Sequence, residues 1–206
     1  MEFKKWPSMS KERVTVTEKI DGSNSCIRIR KSEDVPPPQG HDWVRYKEVD
    51  GTYYFVWAQS RTRFLKATKH EDNFGFANWV CENTEELVRL LGPGDHYGEW
   101  WGSKIQRGYG LANGERAFSL FDVHKWDMLH HNEARTEIPN LYKVPLLYHG
   151  SMYDFDIDEI MQELRDNGSR VQPGFKSEGV VVYLRELRAG YKVLVENDDI
   201  HKWEQS

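Results

Sequence analysis

The sequence predicts an α+β fold, and three observations carry that reading. Short runs with strand-like alternation dominate the chain, at residues 13–20, 25–31, 43–49, 52–59, 95–101, 115–123, 179–185 and 190–196. Two segments carry helix start and stop signals, with a weaker third. Turn dipeptides separate several of the runs. In order, Val14 and Val16 alternate towards Glu18, and Cys26-Ile27-Arg28-Ile29-Arg30 alternates with a basic face. Pro36-Pro37-Pro38 breaks the chain into a loop, Asp50-Gly51 reads as a tight hairpin turn, and Asn113-Gly114 signals a second hairpin. A helix is expected over residues 84–91, with Asn83 as its cap, Glu86 completing a capping box and Gly92-Pro93 as the stop. Another is expected from Ile157 to Asn167, capped by Asp156 and stopped by Gly168. Phe76–Cys81 is the third. Strands with a few packed helices in 206 residues fit a single domain spanning 1–206.

Composition narrows the function classes. The formal net charge of −5 argues against a protein that coats nucleic acid over its whole surface. The basic residues Arg28, Arg30, Arg61, Arg63, Lys66 and Lys69 nevertheless crowd the first half, which leaves room for a local basic groove. Eight Trp, ten Tyr and nine Phe imply an aromatic-rich core, with rings to spare for stacking. Cys26 and Cys81 make no metal-type spacing, and no apolar run reaches membrane-spanning length, so a soluble cytoplasmic protein is expected. Asp154, Asp156 and Asp158 do not make a calcium loop, because Glu159 stands where that loop needs glycine. Gly108 and Gly110 lack the strand–turn–helix context of a dinucleotide site, and His130-His131 reads as surface.

The most informative stretch is Glu18-Lys19-Ile20-Asp21-Gly22-Ser23-Asn24. It sets a lysine at a strand end with an acid and a turn directly behind it, a position from which a neutral amine could attack phosphorus or carbonyl carbon. Further pieces follow in order: Ser60-Arg61-Thr62-Arg63 after a strand, Tyr97-Gly98-Glu99-Trp100-Trp101-Gly102 and the apolar Phe118-Ser119-Leu120-Phe121-Asp122-Val123. Ser177-Glu178-Gly179-Val180 then opens a buried strand, and Tyr191-Lys192-Val193-Leu194 returns a second lysine.

In this order and at these intervals the pieces resemble motifs I, Ia, III, IIIa, IV and V of the covalent lysine nucleotidyltransferases: ATP-dependent DNA ligases, RNA ligases and mRNA capping enzymes. The wording is most similar to the RNA ligase family, particularly its type 2 members, over roughly residues 14–196. The resemblance implies a nucleotidyltransferase (ATP-grasp-like) core of antiparallel sheets with a nucleotide pocket between them. It implies an ATP-dependent RNA ligase using Mg²⁺ or Mn²⁺. Lys19 would form a lysyl-AMP, pass AMP to an RNA 5′-phosphate, and let a 3′-hydroxyl seal the strand. By the same resemblance Glu18 and Ile20 would flank the adenine, Arg61 would hold ribose or phosphates, and Glu99 would accept from a ribose hydroxyl. Phe121 would stack on the purine, Glu178 would bind the metal, Lys192 would contact the α-phosphate, and Asn24 would serve the nucleotide site and the RNA-directed steps. The expected partner is RNA, as a nicked duplex or as 5′-phosphate and 3′-hydroxyl ends.

Two departures qualify the match. The family's last motif often carries two lysines on one strand face, whereas here Leu194 and then Glu196 follow Lys192 on that face; Lys202 or a metal would then supply the missing phosphate contact. Residues 193–206 are also too few for an OB domain, so none is expected, and a partner protein could present the nucleic acid. Two alternatives stay open: a minimal ATP-dependent DNA ligase, and a nucleotide- or nucleic-acid-binding protein that keeps the fold without turnover.

Overall fold

The structure is a computed structural model and describes residues 13–34 and 45–195. Residues 43–44, the Pro36-Pro37-Pro38 loop, Glu196 and Lys202 lie outside the described residues. In chain order the strands are β1 (Arg13–Lys19), β2 (Ser23–Lys31), β3 (Arg45–Val49), β4 (Thr52–Ser60), β5 (Gly94–Gly102), β6 (Arg116–Leu120), β7 (Leu141–Lys143), β8 (Leu146–Ser151), β9 (Gly179–Leu184) and β10 (Ala189–Leu194). The helices are α1 (Phe76–Glu82), α2 (Thr84–Leu91) and α3 (Ile157–Asn167). The chain forms two compact units, Met1–Ile20 with Val144–Ser206, and Asp21–Lys143.

The first unit holds a four-stranded antiparallel sheet in the order β10-β9-β1-β8. Alternation in β1 turns Val14 and Val16 inward against Val180, Val182 and Leu184 of β9 and Met161 and Leu164 of α3. Burying each such side chain stabilises the unit by about 1.5–3 kcal/mol. α3 starts where Asp156 accepts hydrogen bonds from the Asp158 and Glu159 amides and stops at Gly168, whose φ of 76° suits glycine. Capping therefore accounts for Asp156.

The second unit holds a six-stranded sheet in the order β3-β4-β2-β5-β6-β7. The expectation of antiparallel sheets needs correction here, since β7 runs parallel to β6. Residues 121–140 carry the chain away from β6 and bring it back to the same edge in the same direction. Val123, Trp126, Leu129 and Ile138 are buried along that path. One face of the sheet, with Ile27, Ile29, Val56, Trp100, Phe118 and Leu120, packs on α1 and α2. Aromatic rings dominate the junction, with Phe76 centred 5.0 Å from Phe118 and 5.3 Å from Trp100.

Three local expectations change in detail. Asn83 does not cap α2 with its side chain, because that amide donates to the Trp79 carbonyl at the end of α1. Asp50-Gly51 forms the expected two-residue hairpin turn, with φ of 50° and 79° between the paired Val49 and Thr52. Asn113-Gly114 is also a left-handed turn, but it ends the longer connection 103–115 between β5 and β6. β6 stops at Leu120 rather than 123, because the Asp122 carboxylate accepts the Lys125 amide and turns the chain.

Candidate active site

Lys19 is the last residue of β1, and its Nζ donates to Glu178 Oε2 at 2.5 Å. Both side chains are mostly buried, at 20% and 16% exposure. Glu178 reaches this place because Gly179, first residue of β9, pairs with Lys19 on one side and Leu194 on the other. A Cβ on Gly179 would lie 2.0 Å from the Val193 carbonyl oxygen, so only glycine lets β9 and β10 come this close.

Behind Lys19, Glu18 turns into the unit and is 1% exposed. It accepts hydrogen bonds from Ser177 Oγ at 2.9 Å and from the Arg170 amide at 2.8 Å. Burial pushes the Glu18 carboxyl above its ordinary pKa, and hydrogen bonds to Ser169, Arg170, Ser177 and Val171 partly oppose that rise. Glu18 holds Ser177 while Lys19 holds Glu178, so two neighbouring residues of β1 grip two neighbours ahead of β9. A carboxyl raised on folding binds more protons in the native state, so its contribution to stability falls as pH rises through the raised pKa. Glu18→Gln removes that titration, and the variant should show a flatter stability profile as pH rises above the ordinary carboxylate range, read by thermal melting. An unchanged profile would count against the buried carboxyl.

Lys192 of β10 lies opposite Val181 and is exposed. The pairing makes two rows across the sheet, Lys19–Gly179–Leu194 and Thr17–Val181–Lys192. Residues two apart in a strand share a face, so Lys19, Lys192 and Leu194 lie on one side of this sheet. With no side chain on Gly179, Leu194 is the next side chain along the row from Lys19. Ile20, 3% exposed, closes the unit.

The second unit begins directly after. The Asp21 amide donates to Tyr109 Oη at 2.8 Å, and Asp21 Oδ2 accepts from Arg107 Nε at 3.2 Å. Gly22 has no room for a Cβ, which would stand 2.6 Å from the Trp100 carbonyl oxygen and 2.9 Å from Glu99 Cγ. Asn24 of β2 pairs with Glu99 of β5, and Ser119 of β6 pairs with Glu99 from the other side. Phe121, just past β6, is 39% exposed, and its amide donates to the Tyr97 carbonyl at 3.0 Å. Arg61 is exposed in the turn after β4, where the Ser60 amide donates to the Arg63 carbonyl. The structure thus brings Lys19 and Glu178 into contact and puts Lys192 on their face. In the second unit it gathers Asn24 and Glu99 on neighbouring strands and puts Phe121 just past the next one, β6. Ser177, Arg170, Arg107 and Tyr109 escaped sequence reasoning. Only Tyr109 carried a signal, an aromatic between two glycines, and it takes a φ of 46°.

The fold is that of solved RNA ligases. A mutant Naegleria gruberi RNA ligase with ATP and Mn superposes with a TM-score of 0.54 at 16% identity, over 92% of this chain and 52% of that one. A second mutant of that enzyme, with AMP and Mn, gives 0.53 at 17% identity over the same shares. An apo mutant gives 0.53 at 17%, over 91% and 52%. The chain spans about half the length of these proteins. No curated protein matches it. The sequence profile of the RNA ligase family matches residues 12–203, and the chain belongs to that family. Among the described residues, no helix is long and apolar enough to cross a membrane.

Proposed function

We propose that this protein is an ATP-dependent RNA ligase working through a covalent lysyl-AMP, with residues 1–206 as its adenylyltransferase domain. The observation that carries the reading is the Lys19–Glu178 pair at the end of β1, in a chain of the RNA ligase family. The Naegleria enzymes were solved with ATP or AMP and Mn, which supports the same ligands here. Among the described residues no three His, Cys, Asp or Glu side chains gather as a metal cage. Glu178 offers one carboxylate, which suits a cation that keeps its waters and shares the nucleotide's phosphates. Such a cation would supply charge neutralisation on the phosphates.

The chain's own groups do the rest. The Lys19–Glu178 pair opens and the ammonium gives a proton to solvent water, since a protonated nitrogen has no lone pair to give. Nζ then forms a bond to the α-phosphorus as the bond from that phosphorus to the bridging oxygen breaks, and pyrophosphate leaves. Lys192 offers a cation on the same face for the α-phosphate. Glu99 accepts from a ribose hydroxyl, Phe121 stacks on the base, Arg61 holds ribose or phosphate, and Asn24 acts with the RNA. Backbone groups of Glu18 and Ile20 serve the adenine edge, the Glu18 carboxylate being engaged within the unit. AMP next moves to an RNA 5′-phosphate, and a 3′-hydroxyl displaces it.

Intact-protein mass after incubation with ATP and Mg²⁺ or Mn²⁺ tests this, read beside the freshly purified protein. A gain of one AMP, reversed by pyrophosphate, is expected. Sealing assays on matched nicks in RNA and DNA then decide the strand. Leu194 in the Lys19 row favours a second reading, nucleotide binding without turnover. Leu194→Lys would restore a second cation on the phosphate face and should raise the adenylylation rate about tenfold, by single-turnover mass measurement. A variant no faster than wild type would mean that position 194 does not face the phosphate. ATP binding without any adduct would leave the second reading.

A further inference from the structure

The helices of the second unit pack on one face of the six-stranded sheet, and the opposite face is basic and aromatic. The register puts Arg28, Trp57 and Asp95 in one row and Cys26, Gln59 and Tyr97 in the next, which adjoins Asn24 and Glu99. Asp95 pairs with Arg30 at 2.5 Å and with Arg28 at 3.8 Å, so two guanidiniums share one carboxylate and the strip keeps positive charge. Arg30 also lies 5.9 Å from the centre of the Trp57 ring. Phe64 bridges Gln59 at the end of β4 and meets Trp57 edge-on at 6.5 Å, while remaining 46% exposed. Tyr97 is 48% exposed. Arg63 is exposed beside Phe64.

Arg28 Nε and Gln59 Oε1 are buried beneath this strip without a hydrogen-bond partner among the described residues. Cys26 and Trp57 are buried on this face, while Phe64 and Tyr97 stand exposed at its border, and exposed rings beside guanidiniums form a stacking platform for unpaired bases. A peptide or lipid would leave the positive charge and the stacking faces unused together.

We propose that this face holds a single strand of the substrate RNA, with one base stacked on Phe64 and its phosphates against Arg28 and Arg63. The inference rests on the RNA ligase reading and extends it, since none of these groups has a part in forming the lysyl-AMP. The strip runs along β2 and β5 into Asn24 and Glu99, so a strand lying on it would lead towards the groups assigned to the nucleotide.

The test measures binding of a short, fluorescent, 5′-phosphorylated single-stranded RNA to the full chain, beside the ATP-dependent mass adduct, which needs no RNA. Phe64→Ala and Arg28→Gln should each form the adduct like wild type. Phe64→Ala should bind the RNA about tenfold more weakly. Arg28→Gln should bind several-fold more weakly, with a shallower dependence on salt. Unchanged RNA affinity in both variants overturns the assignment, whether or not the adduct forms. So does an equal loss on fully paired RNA, whose bases cannot stack on the protein. A wild type that makes no adduct yet binds RNA through these residues sinks the ligase reading and upholds this one.

Discussion

Lys19→Ala is expected to abolish the AMP adduct, and Lys19→Arg to do the same while leaving the protein as stable as wild type. The arginine keeps a cation opposite Glu178, but a guanidinium does not deprotonate in a protein and cannot supply a lone pair. Alanine removes the cation and leaves Glu178, 16% exposed, to water or a metal. Removing one partner of a mostly buried ion pair costs about 1–3 kcal/mol, so the alanine variant should melt roughly 2–12 °C below wild type, while the arginine variant should not. The pair of variants separates chemistry from folding. Lys192 is the control, since it is the other lysine on that face. If Lys19 is the nucleophile, Lys192→Ala should slow adduct formation without changing the residue that carries it. An adduct that persists in both Lys19 variants and maps to Lys192 would move the nucleophile to β10.

Much of this site was legible because chemistry and local structure used the same residues. Lys19 and Lys192 stand in strands whose alternation the sequence shows, and the structure keeps both in one small sheet with Glu178 directly ahead of β9. β1 through β6, β9 and β10 were anticipated within a few residues at their ends, because each has enough alternation to register. β7 was not, since Leu141-Tyr142-Lys143 is too short to display a period. β8 was missed because Leu146–Ser151 borders the sheet and shows no strict in–out pattern. The capping box at Asn83 failed because two helices abut, and the first offered the amide a carbonyl. Glu18 illustrates a different limit. The sequence places it beside the nucleophile, but only the fold shows Ser177 and Arg170 returning to it across more than a hundred residues of chain. Arg107 and Tyr109 reach Asp21 in the same non-local way. No spacing rule announces contacts of that kind.

Among the described glycines, Gly179→Ala should be the most damaging added methyl. Its Cβ would stand 2.0 Å from the Val193 carbonyl oxygen and 2.9 Å from the Leu194 Cα, both backbone atoms that no rotamer change can move. Its φ of 150° adds strain for any residue with a side chain. Overpacking and strain together suggest a cost of about 3–5 kcal/mol, a fall of roughly 6–20 °C in melting temperature. Gly114→Ala is the matched comparison, because Gly114 also has a positive φ, 85°, but nothing lies within 4 Å of its missing Cβ. That variant should lose only about 1–2 kcal/mol from strain. The difference between the two melts measures the close approach of β9 and β10 alone. Relief in Gly179→Ala can come only by parting those strands, which carries Lys192 away from the Lys19 face and displaces Glu178 from the amine. Adduct formation should therefore fall even at temperatures where the variant is folded. If Gly179→Ala melts like Gly114→Ala and still forms the adduct at the wild-type rate, the glycine is not what brings the Glu178 carboxylate to Lys19.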